Sequence, residues 1–131
     1  MKMRRSVLLV AVCLLVVMSI SVVAFAATSQ VFRRGVLDGY DYVCKGDISG
    51  LVATATFTAT ANENLPHHPE SDCTSSVWMF AYNERGGVLG FASSDGSVYT
   101  KATCTASDTI AYTSCEFVFM GTDLGRYFLI K

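Results

Sequence analysis

The chain has 131 residues, and all 11 acids but only seven of the ten Lys and Arg lie beyond residue 26, so that part carries a formal charge of −4. A mildly acidic domain without clustered cations argues against nucleic acid and anionic lipid as partners, because both require basic patches. Four cysteines and 105 residues in the same part fit one small domain and not several.

The first segment has the layout of an export signal. Lys2, Arg4 and Arg5 precede an uncharged run from Val7 to Ala27, and Ala24-Phe25-Ala26 has the small-x-small pattern of a cleavage site. Residues 1–26 therefore read as a signal peptide and 27–131 as a secreted domain. A retained segment would instead be an anchor, since 21 uncharged residues are about enough to cross a bilayer core. In either case the early cations stay inside and the domain faces outward, secreted or tethered on the outer face of the membrane. Lipidation at Cys13 is disfavoured, because Val12 stands where a lipobox needs a small residue. Arg33-Arg34, the one adjacent basic pair after this segment, reads as a solvated loop.

Alternation with period two then dominates. Tyr40 to Ile48 reads as a strand, and Leu51 to Ala61 more plainly so: Ala53, Ala55, Phe57 and Ala59 alternate with Thr54, Thr56, Thr58 and Thr60. Asn62 to Ser76, which holds Pro66 and Pro69, is the one long connection. Val77–Tyr82 and Val88–Ala92 are short strands around Arg85-Gly86-Gly87. Asp95-Gly96 signals a two-residue hairpin into Val98–Thr105. After a turn at Ser107-Asp108, Ile110–Met120 and Arg126–Ile130 complete about seven strands. No segment past residue 26 keeps a helical period. The expected fold is a small antiparallel β-sandwich. Ala111, Cys115, Phe117 and Phe119 fall on one face of the Ile110–Met120 strand, and Tyr112, Ser114 and Glu116 on the other. In composition, Gly35 to Ala61 resembles small Ser/Thr-rich exported β-proteins of Gram-positive bacteria, which implies a β fold and no particular activity. The absence of an N-x-[ST] sequon also fits a bacterial source.

Cys44, Cys73, Cys104 and Cys115 are an even set in an exported domain, which predicts two disulfides. Gaps of 29, 31 and 11 residues disfavour a zinc site, which wants close pairs. Three connectivities are open. A meander favours Cys44–Cys73 with Cys104–Cys115, the second pair flanking an expected hairpin.

Chemistry-bearing residues are sparse. His67-His68-Pro69-Glu70-Ser71-Asp72 holds the only concentration of metal-ligating types, so His67, His68, Glu70 and Asp72 are the candidates for zinc or copper. Adjacent histidines in an extended chain point apart, and no metal or other cofactor is assigned. Gly46-Asp47-Ile48-Ser49-Gly50 lacks the spacing of a serine-hydrolase elbow and reads as a turn. Glu63, Glu70, Glu84 and Glu116 have no spacing that pairs them for glycoside cleavage. Trp78 and the tyrosines could form a stacking platform for sugar or protein, but a Trp in so apolar a strand is placed in the core. A net −4 argues against a membrane-attacking peptide. The expectation is a non-catalytic extracellular binding module with a protein or glycan partner, its loop at Asn62–Ser76 the first place to look. A metal-binding protein built on that loop, or a small secreted inhibitor or toxin-like effector, are the alternatives.

Overall fold

A computed structural model describes residues 27–131; the segment read as a signal peptide or anchor, residues 1–26, lies outside the described residues. Those described form eight strands: β1 (Ala27–Leu37), β2 (Tyr40–Ser49), β3 (Val52–Ala61), β4 (Ser75–Tyr82), β5 (Val88–Gly96), β6 (Tyr99–Thr105), β7 (Tyr112–Phe119) and β8 (Thr122–Ile130). A single 3₁₀ turn, Glu70–Asp72, sits in the long connection before β4. The strands build two antiparallel four-stranded sheets, β1-β2-β3-β6 (sheet A) and β5-β4-β7-β8 (sheet B).

The alternation sorts residues between layers. Sheet A turns Tyr40, Tyr42, Cys44 and Ile48 of β2 and Ala53, Ala55, Phe57 and Ala59 of β3 inward. Sheet B answers with Val77, Met79 and Ala81 of β4 and Cys115, Phe117 and Phe119 of β7. Phe57 and Phe119 meet across the interface at 4.9 Å between ring centroids, and Tyr40 sets its edge against Phe119 at 5.8 Å. The alanines of β3 leave room for those rings at the usual inter-sheet spacing of about 10 Å. The buried hydroxyls of Ser75 and Thr100 hydrogen-bond to each other from opposite sheets, so neither is left unpaired. Asp38-Gly39 and Met120-Gly121 close their hairpins with positive φ at both residues, 49° and 78° in one and 51° and 73° in the other. That geometry matches the strand twist.

Two expectations about chain path need correction. Arg33-Arg34 is not a loop but part of β1, an eighth strand. Pairing with β2 shifts between Val31 and Arg33, which makes Phe32 an inserted residue. The bulge turns the Phe32 ring inward to stack on Tyr127 at 5.3 Å. Gly46 makes this possible, because a Cβ there would lie 2.6 Å from the Phe32 ring. Arg33 then lies 5.9 Å over the Tyr42 ring and donates to the Leu124 carbonyl at 2.9 Å, tying β1 to sheet B. Second, Asp95-Gly96 does not close a hairpin. β5 belongs to sheet B and β6 to sheet A, where β6 pairs with β3. The chain crosses between sheets after Gly96, and again between β6 and β7.

Those crossings overturn the two predicted disulfides. All four cysteines are buried and free. Cys104 packs over β5, where a Cβ on Gly90 would lie 2.5 Å from its Sγ. Cys115 is on β7, two strands from β5 in sheet B, which is about 10 Å of lateral offset against a limit of about 7 Å between bridged Cα atoms. Cys73 lies beside the Tyr40 side chain. Cys44 is four residues farther along β2, roughly 13 Å away. Neither expected pair is bonded.

Burial pushes the Cys44 thiol up to about 12 and the Cys115 thiol up to about 11. As pH rises, the unfolded chain loses these protons first, near the ordinary thiol value of about 8.5. The stability these thiols confer is therefore complete below about pH 8 and is lost as pH climbs toward about 11. The melting temperature should hold through neutral pH and fall across that alkaline window. Iodoacetamide should label peptides carrying Cys44 and Cys115 only in concentrated denaturant; recovery of a cystine-linked peptide would contradict the fold.

Candidate binding face

The long connection does not bring its titratable residues together. Its backbone is pinned to the end of the sandwich: the Tyr40 hydroxyl donates to the His68 carbonyl, and the Ser97 hydroxyl to the Glu70 carbonyl. The His67 ring sits edge-on to Tyr40 at 5.6 Å with its Nδ1 3.1 Å from the Leu65 carbonyl. Among the described residues no group of three or more His, Cys, Asp or Glu side chains is placed to hold a metal ion. His67, His68, Glu70 and Asp72 are neighbours in sequence that do not converge on one point.

The chemistry that stands out lies on the outward face of sheet B. Strand register arranges it in rows. Val88, Tyr82, Tyr112 and Ile130 lie side by side across β5, β4, β7 and β8. In the next row are Phe91, Phe80, Ser114 and Phe128, and in the one after it Ser93, Trp78, Glu116 and Arg126. The rings form a continuous run. Phe91 and Phe80 are 4.7 Å apart, Phe80 and Tyr82 6.3 Å, Tyr82 and Tyr112 4.8 Å, and Tyr112 and Phe128 6.5 Å between centroids. Much of this surface is open: Phe91 is 52% exposed, Phe128 56% and Ile130 74%. A small hollow of about 50 Å³ sits above Ser114, walled by Trp78, Phe80 and Tyr82.

Polar groups border the aromatic rows on both long sides. On one, Arg126 pairs with Glu116 at 3.4 Å beside Trp78. The other side opens into a groove of about 690 Å³ lined by Asn83, Glu84, Arg85, Asp108, Thr109 and Lys131 among others. Its walls are fixed by the backbone. Asn83 Oδ1 accepts from the amides of Arg85 and Gly87 at 3.0 and 2.8 Å, and the Ala111 amide donates to the Tyr82 carbonyl at 2.8 Å.

The outward face of sheet A is its opposite. Thr54, Thr56 and Thr58 of β3 lie between Asp47, Lys45 and Val43 on one side and Thr103, Lys101 and Tyr99 on the other. One sheet shows water mainly threonine and charge, with Val31, Val36 and Tyr99 toward its edges; the other shows a band of rings.

Trp78 is therefore not the core residue expected from its apolar strand. Val77, Met79 and Ala81 take the inward positions, and Trp78, Phe80 and Tyr82 point out. A signal was present. Tyr112, Ser114 and Glu116 were already grouped on one face of β7, and they pair with Tyr82, Phe80 and Trp78. Only the β4–β7 pairing, which spans the crossings, was missing.

The fold defines the class of protein, an all-β two-sheet sandwich. No protein-family model matches the chain, and no curated protein matches it either.

Replacing Phe91 or Phe128 by Ser should lower unfolding free energy by no more than about 1.5 kcal/mol, the scale of an exposed aromatic contact. Phe57→Ala should cost about 3–5 kcal/mol, as for a buried ring. Urea denaturation measures both; a core-sized loss at Phe91 would show that the ring is structural.

Proposed function

We propose that the domain is a non-catalytic recognition module acting outside the cytoplasm, and that it binds through the outward face of sheet B. The observation that supports this is the unbroken run of exposed rings from Phe91 to Phe128. Soluble domains rarely leave a contiguous apolar band in water unless it contacts something. Aromatic residues enrich at recognition surfaces because they present large area with few rotatable bonds. The band lies on β-strands, so it is rigid before binding and little order is lost on contact. The placement outside the cytoplasm rests on the leader pattern of residues 1–26. It draws no support from the cysteines. Thiols held protonated inside the core are poor nucleophiles and react slowly with oxidants, so an oxidising compartment does not conflict with their being free.

A catalytic reading has less behind it. Glu116 is engaged by Arg126, and the other carboxylates of that face, Asp95 and Asp123, stand in the adjoining row on the two edge strands, Asp95 accepting from the Ser76 hydroxyl. The metal-binding reading has no convergent ligand set among the described residues.

Co-sedimentation with insoluble polysaccharides, cell-wall preparations and immobilised extracellular proteins tests the proposal. Wild-type protein should be depleted from solution by at least one of these. A Phe80→Ser, Phe91→Ser double variant of equal melting temperature should bind about tenfold more weakly or worse, the loss of one or two stacked rings. Equal retention of the two would remove the face from the account.

A further inference from the structure

We infer that the ligand of this face is a linear oligosaccharide lying across the strands of sheet B; the inference rests on the recognition reading above and names its ligand class. Three features of the face lead to it, beginning with shape. The two apolar rows make a strip that crosses all four strands, about 14 Å between the axes of β5 and β8 and about 7 Å deep along them. A stable interface with a folded protein or a second copy buries about 800 Å² per partner, more than the side chains of these two rows expose. A chain one ring wide fits it.

The second feature is the chemistry of the two borders. A pyranose ring has apolar C–H faces and a rim of hydroxyls. Laid flat on Phe80, Tyr82 and Tyr112, such rings would place C–H groups against π-faces and direct hydroxyls to both sides. On one side stand Glu116 and Arg126, an acceptor and a donor fork 3.4 Å apart. On the other stand the Tyr112 hydroxyl, beside Gly86, and the groove beyond, where Asn83 and Asp108 are held by their turns. An apolar peptide helix would cover both polar borders without adding a hydrogen bond to either, and desolvating polar groups without compensation costs binding energy.

The third feature is charge. The only ions in the three rows, Glu116 and Arg126, cancel each other, and the domain as a whole carries −4. A neutral ligand is matched. An anionic membrane or polyanionic glycan would meet net repulsion with no cationic patch to offset it.

The experiment uses protein purified from cells expressing the full chain. Fluorescence of Trp78, the single tryptophan of the chain, is titrated with cellohexaose, xylohexaose, chitohexaose and maltohexaose and with the matching disaccharides. Phosphatidylcholine vesicles and sedimentation velocity are run alongside. At least one hexaose should bind saturably, about tenfold or more tighter than its disaccharide, as further stacked rings require. Tyr82→Ala with Tyr112→Ala should weaken that binding about tenfold or more, Glu116→Gln severalfold, and Thr58→Ala on sheet A not at all. Failure of all four hexaoses, or binding unchanged in the tyrosine variant, overturns the inference. If no sugar binds but vesicle binding or self-association is lost in that variant, the recognition face survives with a different occupant. If the variant matches wild type in every measurement, the recognition reading falls as well.

Discussion

The interaction on which the rest of the structure depends is the aromatic contact between the two sheets. Phe57 reaches from β3 and Phe119 from β7 to meet at 4.9 Å, with Tyr40 and Tyr42 packed around them from β2. Large rings at these points, with alanines beside them at 53, 55 and 59, set the separation of the sheets and the volume of the core. Phe32 extends the same cluster to the β1 edge, where the bulge and Gly46 let it stack on Tyr127. Among the described residues no disulfide closes the fold. The cysteines act as small side chains filling the remaining gaps, and burial keeps the Cys44 and Cys115 thiols protonated.

The core filled in this way has an arithmetic consequence for β4. Facing Ala53 and Ala55 and the rings of Phe57 and Phe119, the inward side of β4 is completed by Val77, Met79 and Ala81. Trp78, Phe80 and Tyr82 therefore take no place in the core, yet they are the largest side chains on the strand. Their cross-strand neighbours Phe91 and Tyr112 repeat the pattern. The outward face of sheet A is mostly threonine, lysine and aspartate, with exposed apolar residues such as Val36 and Tyr99 at its two edges and no run of rings. This difference between two sheets of one domain is why the aromatic face reads as a surface for contact.

Much of this was legible from residue order, within limits that have physical causes. Strand identity follows from local alternation and turn signals, so every strand from β2 to β8 is visible in residue order, and with them the inward positions of Phe57, Phe117 and Phe119. β1 was hidden because its alternation is interrupted at Phe32 and its basic pair resembles a loop. Sheet membership is a non-local property. Asp95-Gly96 has the chemistry of a hairpin turn, but Gly96 instead pairs with Ser75 and the chain crosses to sheet A. The misplaced disulfides and the misplaced Trp78 share one origin: local alternation implies a meander, whereas the chain changes sheets three times, after β3, β5 and β6. The long loop drew attention because it holds the only histidines. It contributes backbone contacts to the end of the sandwich, and its side chains do not converge.

The account stands or falls on which surface a ligand touches. Amide chemical-shift mapping of isotopically labelled protein, with the tightest-binding hexaose added stepwise, reads this residue by residue. The account predicts perturbations at Trp78, Phe80, Tyr82, Phe91 and Tyr112, extending to Asn83 and Arg126, with the threonines of β3 unmoved. Shifts gathered instead around His67 to Asp72, or spread over sheet A, would contradict it.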